Sequence, residues 1–237
     1  MSNSVILRAL MTSAVVVSAL SLTPFTAMAE TSKFKFSGQI NALSDGIYRG
    51  VSQTEGLPQY TAGAQVAYGK FFAGTLFKTM RDRATGVDNQ IQWLVGYKTK
   101  FKGTDITARA IYKQYNGIRV GTDNEFIEYE INAAHKLAKN TTGRLTLAYS
   151  PDNYGKAKEA TYAEIGLDQQ ITPKFTVMVA NGFRHNENSV DYTSYLAGGR
   201  YALTKTLNAS LTFTTTDKGK FADKYDDSVF ITLSQKF

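Results

Sequence analysis

Alternation of apolar and polar residues along nearly the whole chain is what most limits the folds open to it. In an extended strand successive side chains point to opposite faces. Phe34, Phe36, Gly38, Ile40 and Ala42 therefore share one face, and Lys35, Ser37, Gln39 and Asn41 the other. The same dyad sets Tyr60, Ala62, Ala64, Val66 and Tyr68 on one side of residues 60–68, and Ile91, Trp93, Val95 and Tyr97 against Gln90, Gln92 and Lys98. It continues with Ile106, Ala108, Ala110 and Tyr112 against Thr107, Arg109 and Lys113, and with Ile127, Tyr129, Ile131 and Ala133 against Glu128, Glu130 and Asn132. Further repeats lie at about 144–150, 161–171, 174–184, 192–202, 207–216 and 227–237. The segment 71–80 is ambiguous; Lys78 argues that Phe71, Ala73, Thr75 and Phe77 face out and Phe72, Leu76 and Met80 face in. Charges fall on one side only. A β-barrel in lipid needs this pattern, with apolar side chains in the hydrocarbon and polar ones in the lumen at every second residue.

The connections alternate as well. Short ones fall near Gly69-Lys70, Lys102-Gly103-Thr104, Lys139 to Gly143, Thr172-Pro173 and Thr204-Lys205, between longer polar segments at about 44–59, 81–89, 116–125, 151–160, 185–191 and 217–226. Outer-membrane barrels place short turns at the periplasm and long loops outside. The count gives an all-β fold, a transmembrane antiparallel up-and-down barrel of about twelve strands with both termini periplasmic. Tyr68, Phe71, Phe101, Phe175 and Tyr201 lie near the short turns, and Phe77, Tyr112, Tyr129, Tyr149, Phe183 and Tyr195 toward the long loops, as aromatic belts at two headgroup layers require. Composition alone, with 12% aromatics and 4 prolines, fits a soluble β-sandwich equally well. A soluble carrier is disfavoured because twelve strands with apolar outer faces would be insoluble.

Both ends of the sequence agree with this reading. Arg8, an apolar run from Ala9 to Leu22 and the small-residue ending Ala27-Met28-Ala29 make a secretory signal peptide over 1–29, cleaved before Glu30, with the barrel over 30–237. The apolar run is shorter than the ~20 residues of a spanning helix. At the other end Val229, Ile231, Leu233, Gln235 and Phe237 alternate up to a final phenylalanine. This resembles the terminal signature by which the barrel-assembly machinery recognises its clients, except that Gln235 stands where an aromatic is usual. The expected partners are outer-membrane lipid, that machinery, and small hydrophilic or anionic solutes.

Loss of Arg8 leaves 26 basic against 20 acidic residues, a mature charge of +6. No helical basic stripe accompanies it, so nucleic acid is a poor partner for an exported chain. With 0 cysteines there is no disulfide framework or thiolate site. No cofactor, metal or enzymatic activity is expected. The two histidines, His135 and His185, fall at opposite ends of the barrel and cannot form one site, and no H-E-x-x-H, G-x-S-x-G or phosphate-binding loop is present.

The residues Ser44-Asp45-Gly46-Ile47-Tyr48-Arg49-Gly50-Val51-Ser52-Gln53-Thr54 resemble the opening motif of the TorF family of proteobacterial porins, approximately S-D-Y-x-F-R-G-x-S-Q-T. Arg49, Gly50, Ser52, Gln53 and Thr54 match it, Pro58 follows at the expected distance, and Gly46 and Ile47 depart from it. The resemblance implies an outer-membrane location and a pore. Physically, the motif begins where the first strand leaves the membrane. There Arg49 can fold into the mouth, held by carboxylates of the wall or touching a solute, and Gly50 can permit a bulge or a close backbone approach.

The expected inward charges are Lys35, Lys78, Lys98, Arg109, Lys113, Lys136, Arg144, Arg184, Arg200 and Lys236 against Glu128, Glu130, Glu164 and Asp168. Lys78, Lys98, Arg109, Lys113, Glu128, Glu130, Glu164, Asp168, Arg184 and Arg200 are the candidate pore-lining residues. Two arrangements fit them: an open cationic lumen that focuses anions, or charges paired across a filled interior.

Overall fold

The computed structural model describes residues 33–119 and 123–237. The expected signal peptide lies outside the described residues. Twelve antiparallel strands close into one barrel in sequence order, β1 (Phe34–Leu43), β4 (Gln59–Tyr68), β5 (Phe71–Thr79), β6 (Asn89–Phe101), β7 (Thr104–Asn116), β8 (Glu125–Ala138), β9 (Thr141–Asn153), β10 (Lys158–Gln170), β11 (Phe175–Asn186), β12 (Tyr192–Ala202), β13 (Leu207–Thr216) and β14 (Ser228–Lys236). A separate two-stranded hairpin, β2 (Ile47–Tyr48) and β3 (Val51–Ser52), sits in the first long connection. That hairpin is absent from the strand reading of the sequence, because two-residue strands carry no period. Strands of 9 to 14 residues suit a tilted crossing of a bilayer, which takes about 9–11.

The outer face is apolar. Phe36, Ile165 and Val229 are respectively 76%, 64% and 65% exposed, and Glu164 and Gly166 on either side of Ile165 are buried. An apolar exterior of this extent belongs in lipid, not water. The ambiguous strand resolves as read, with Phe71, Ala73, Thr75 and Phe77 outward and Phe72 and Leu76 buried inside. At the rims the rings pair across strands, Phe34 with Tyr68 at 5.0 Å and Phe71 with Tyr97 at 5.1 Å near the short turns, and Trp93 with Tyr112 at 5.8 Å further up. The connection expected over about 151–160 is shorter, since β9 and β10 continue to Asn153 and from Lys158, where a register shift marks a bulge.

Barrel closure rests on the chain's two ends. β1 pairs with β14 from Gln39↔Lys236 to Leu43↔Thr232. Beyond that ladder, Gly38 N–H donates to the Phe237 carbonyl at 2.8 Å and Phe237 N–H to the Gly38 carbonyl at 3.0 Å. The Phe237 ring lies where a side chain on Gly38 would be, so glycine there leaves room for the terminal ring at the seam. Gln235, the polar departure on the outer face, donates to Thr206 Oγ1 at 3.0 Å and to the Lys236 carbonyl at 2.8 Å. Its amide is satisfied at the turn rather than presented bare to lipid.

Candidate functional site

The first long connection turns inward. Arg49 and Gly50 form the two-residue turn of the β2–β3 hairpin, both at positive φ, +53° and +85°. This is the backbone of a tight hairpin turn, in which glycine is at ease and arginine is not. A side chain on Gly50 would meet Ser194 of β12, so the tip reaches the far wall. The close approach expected of Gly50 is present; a bulge is not.

Each residue of the resemblance motif has a place in this hairpin. The Asp45 carboxylate is buried and accepts from Ser52 Oγ at 2.6 Å, Thr54 Oγ1 at 3.0 Å and Ser228 Oγ of β14 at 2.9 Å. Thr54 Oγ1 also accepts from Gly46 N–H at 2.8 Å, and Gln53 N–H donates to the Gly46 carbonyl at 2.8 Å. Gln53 Oε1 accepts from Lys78 Nζ at 2.6 Å. The motif is therefore a folding unit that stitches the base of the hairpin and presents Arg49 at its tip.

Arg49 is 4% exposed. Its Nη1 and Nη2 donate to the two oxygens of Glu128 at 2.7 and 3.0 Å, and Nη2 reaches Glu130 at 3.3 Å. The guanidinium carbon stands 4.5 Å from the Tyr162 ring centre and 4.7 Å from that of Tyr48. Bidentate carboxylate contact plus ring faces is the arrangement a planar, delocalised cation satisfies best. Of the two roles open to Arg49 in the sequence, the geometry is that of a side chain held by wall carboxylates.

Glu128 and Glu130 are shared with the wall. Lys113 Nζ donates to Glu128 at 2.7 Å, and Arg109 donates to Glu130 from Nη2 at 2.5 Å and from Nε at 3.1 Å. Lys113 Nζ and Tyr48 OH are 2.9 Å apart, and Lys78 Nζ stands 4.9 Å from the Tyr48 ring centre. A second cluster on β9 and β10 joins Arg144 Nε to Asp168 at 3.0 Å and Arg144 Nη1 to Glu164 at 3.7 Å. Arg200 lies within electrostatic reach of Asp168 and Arg144, Lys236 of Arg200, and Lys98 of Arg109.

The ten candidate pore-lining residues all stand on the inner face. They are not equivalent. Lys113, Arg109, Glu128 and Glu130 converge on Arg49; Glu164 and Asp168 hold Arg144; Lys78 is tied to the hairpin through Gln53; Arg184 Nε donates to Asn186 at 2.9 Å near the outer mouth. Lys98 and Arg200 are partly exposed toward the end of the short turns. Lys35 and Lys136 share the inner-face parity but stand exposed at the short-turn rim rather than inside. What the sequence did not reveal is Tyr48 and Tyr162 as the rings flanking Arg49, because nothing in a tyrosine's local pattern says which face of a ring a distant cation meets.

Between the clusters, apolar side chains also line the interior. Phe72, Leu94 and Ile111 form an apolar patch on the β5–β7 side, and Val87, Tyr115 and Phe126 another beneath the long loops. Of the two arrangements, charges paired across a filled interior describe the level of the hairpin. Cations still outnumber acids along the described wall. His135 and His185 sit at opposite rims, hydrogen-bonded to Thr104 Oγ1 and to Asp191, each at 2.9 Å. Among the described residues no group of three or more acidic or histidine side chains is placed to hold a metal ion.

Residues 27–237 match the model of the family described as bacterial protein of unknown function, Gcw_chp. No curated protein matches the sequence. Among solved structures, the KdgM porin is similar with a TM-score of 0.55 at 9% identity, over 85% of this chain and 98% of that one. A second structure of the KdgM porin, in complex with disordered oligogalacturonate, gives 0.54 at 9% identity over 85% and 97%. The NanC porin gives 0.52 at 10% identity, again over 85% and 97%. At such identities these likenesses show the fold, the closed twelve-stranded barrel of outer-membrane porins.

Proposed function

The chain belongs to the Gcw_chp family of bacterial proteins, and we propose that it is an outer-membrane channel for passive diffusion of small hydrophilic solutes, with a preference for anions. One observation carries this reading: the obstruction across the barrel is a loop hairpin held by polar and ionic contacts, inside a wall whose inner face carries more cations than acids. A narrow polar passage with low-dielectric walls of one sign concentrates ions of the other. That KdgM was solved with an oligogalacturonate supports an acidic solute here, and the Arg49 to Thr54 motif supports the finer TorF identification. Export by a signal peptide and insertion by the barrel-assembly machinery through Phe237 belong to the same proposal.

The test is conductance in planar bilayers after refolding, with reversal potentials in asymmetric salt. Discrete steps and an anion-favouring reversal potential are expected, and Arg200→Glu should shift that potential toward cations. An unmoved potential in Arg200→Glu and Lys98→Glu together removes the anion preference. Absence of steps from the wild type and from a barrel lacking the hairpin removes the channel. A second reading, a closed barrel that presents its loops, is favoured by the apolar patch of Phe72, Leu94 and Ile111 inside the wall; it predicts silence in both proteins.

A further inference from the structure

We propose that the seat of Arg49 is a binding site for small guanidinium cations, filled here by the protein's own side chain, and that the hairpin carrying Arg49 is the gate of the lumen. The gate half rests on the channel reading above; the site half does not.

The seat is complete without the hairpin's backbone. Glu128 offers two oxygens at 2.7 and 3.0 Å, Glu130 a third at 3.3 Å, and Tyr162 a ring face at 4.5 Å. All three come from the wall, on β8 and β10. Two of them are fixed independently of Arg49: Glu130 by Arg109, and Glu128 by Lys113. An ammonium is a point donor and does not match a fork of oxygens beneath a ring, whereas a guanidinium does. The site therefore selects by shape as well as by charge.

The occupant is loosely tethered. Among the described residues the tip from Ile47 to Ser52 makes no backbone hydrogen bond to the barrel strands; the loop's backbone contacts to its surroundings are at Ser44, with Ile231, and at Gln53, with Arg81. The hairpin has only two residue pairs of its own. Arg49 also holds a left-handed backbone conformation that an arginine adopts at a cost. A tip with a strained turn and no backbone bond to the wall, held by the side chains of Arg49 and Tyr48 on Glu128, is a built-in ligand on a tether. Release of the guanidinium frees the tip to swing from the far wall, with Ser44 and Gln53 as the ends that stay.

The experiment uses Arg49→Gly in the full barrel, since glycine takes the positive φ without strain and leaves a guanidinium-sized void. Its single-channel conductance should rise several-fold over wild type. Millimolar ethylguanidinium should return it toward the wild-type level, while ethylammonium and the neutral ethylurea should not. Wild-type conductance in Arg49→Gly overturns the gate, and a raised conductance indifferent to ethylguanidinium overturns the site. If a variant with a glycine–serine linker in place of 47–52 is also silent, the channel reading itself fails. The site is then decided by heat-dependent gel mobility: ethylguanidinium should raise the unfolding midpoint of Arg49→Gly and leave wild type unmoved, and no shift in the variant overturns it.

Discussion

Replacing Glu128 by glutamine keeps the side chain's size and removes its charge at an acceptor of four hydrogen bonds. The carboxylate takes hydrogen bonds from Arg49 at 2.7 and 3.0 Å, from Lys113 at 2.7 Å and from Tyr48 OH at 3.2 Å, while 2% exposed. Removing one partner of a buried ion pair costs about 3–5 kcal/mol, because the remaining charge stays desolvated. Arg49 keeps Glu130 at 3.3 Å and sits on a loop hairpin with no backbone bond to the wall among the described residues. Lys113 sits on a barrel strand, and Glu128 is its ion-pair partner. The loss is therefore set mainly by Lys113 and falls at the lower end, about 3 kcal/mol. Urea unfolding of the barrel in lipid vesicles measures it, with the midpoint and slope giving the free energy. Trp93, the single tryptophan, lies on the lipid-facing side and reports insertion by its fluorescence. Adding Lys113→Met to Glu128→Gln should restore part of the loss, with a coupling of roughly 0.5–3 kcal/mol as contacting residues show. A Glu128→Gln barrel within about 0.5 kcal/mol of wild type, the range of an ordinary surface change, would refute the claim that this carboxylate neutralises buried cations.

Gly50→Ala should lower stability by about 1–2 kcal/mol from the left-handed backbone alone, and further because its methyl meets Ser194; Ser194→Gly should relieve the second part only, measured by the same urea midpoints. Deleting Phe237 removes its two backbone bonds to Gly38 and the ring over that residue, so the heat-modifiable fraction after insertion should fall, and an unchanged fraction would count against a closing role for Phe237. In the loop after β11, hydrogen bonds from His185 and from the Asn186 N–H hold the Asp191 carboxylate below its ordinary range. A depressed carboxylate stabilises above its unfolded value, about 3.9, and loses that contribution as the pH falls below it. Hydrogen exchange at the Asn186 amide should therefore lose protection in acid, and Asp191→Asn should lack that pH dependence.

The sequence by itself determined the wall. A period of two is written locally, residue by residue, and a lipid exterior with a polar interior enforces it on every strand. Inward and outward faces therefore read correctly even in residues 71–80, where Lys78 alone decided the parity. Strand count followed from the alternation of short and long connections. What lies inside the wall was decided by the tertiary structure. Arg49 meets Glu128 across 79 residues of sequence, and Asp45 meets Ser228 across 183. Such contacts leave no period behind. The sequence presented Arg49 as a charge at the mouth and the wall as a roll of inward cations and acids. Closing the barrel brought strands β8 and β10 around the first loop. That closure sorted the same residues into partners of the hairpin, a separate Arg144 cluster, and cations toward the short-turn end, and of the two arrangements the sequence left open it set paired charges at the level of the hairpin, around the chain's own arginine.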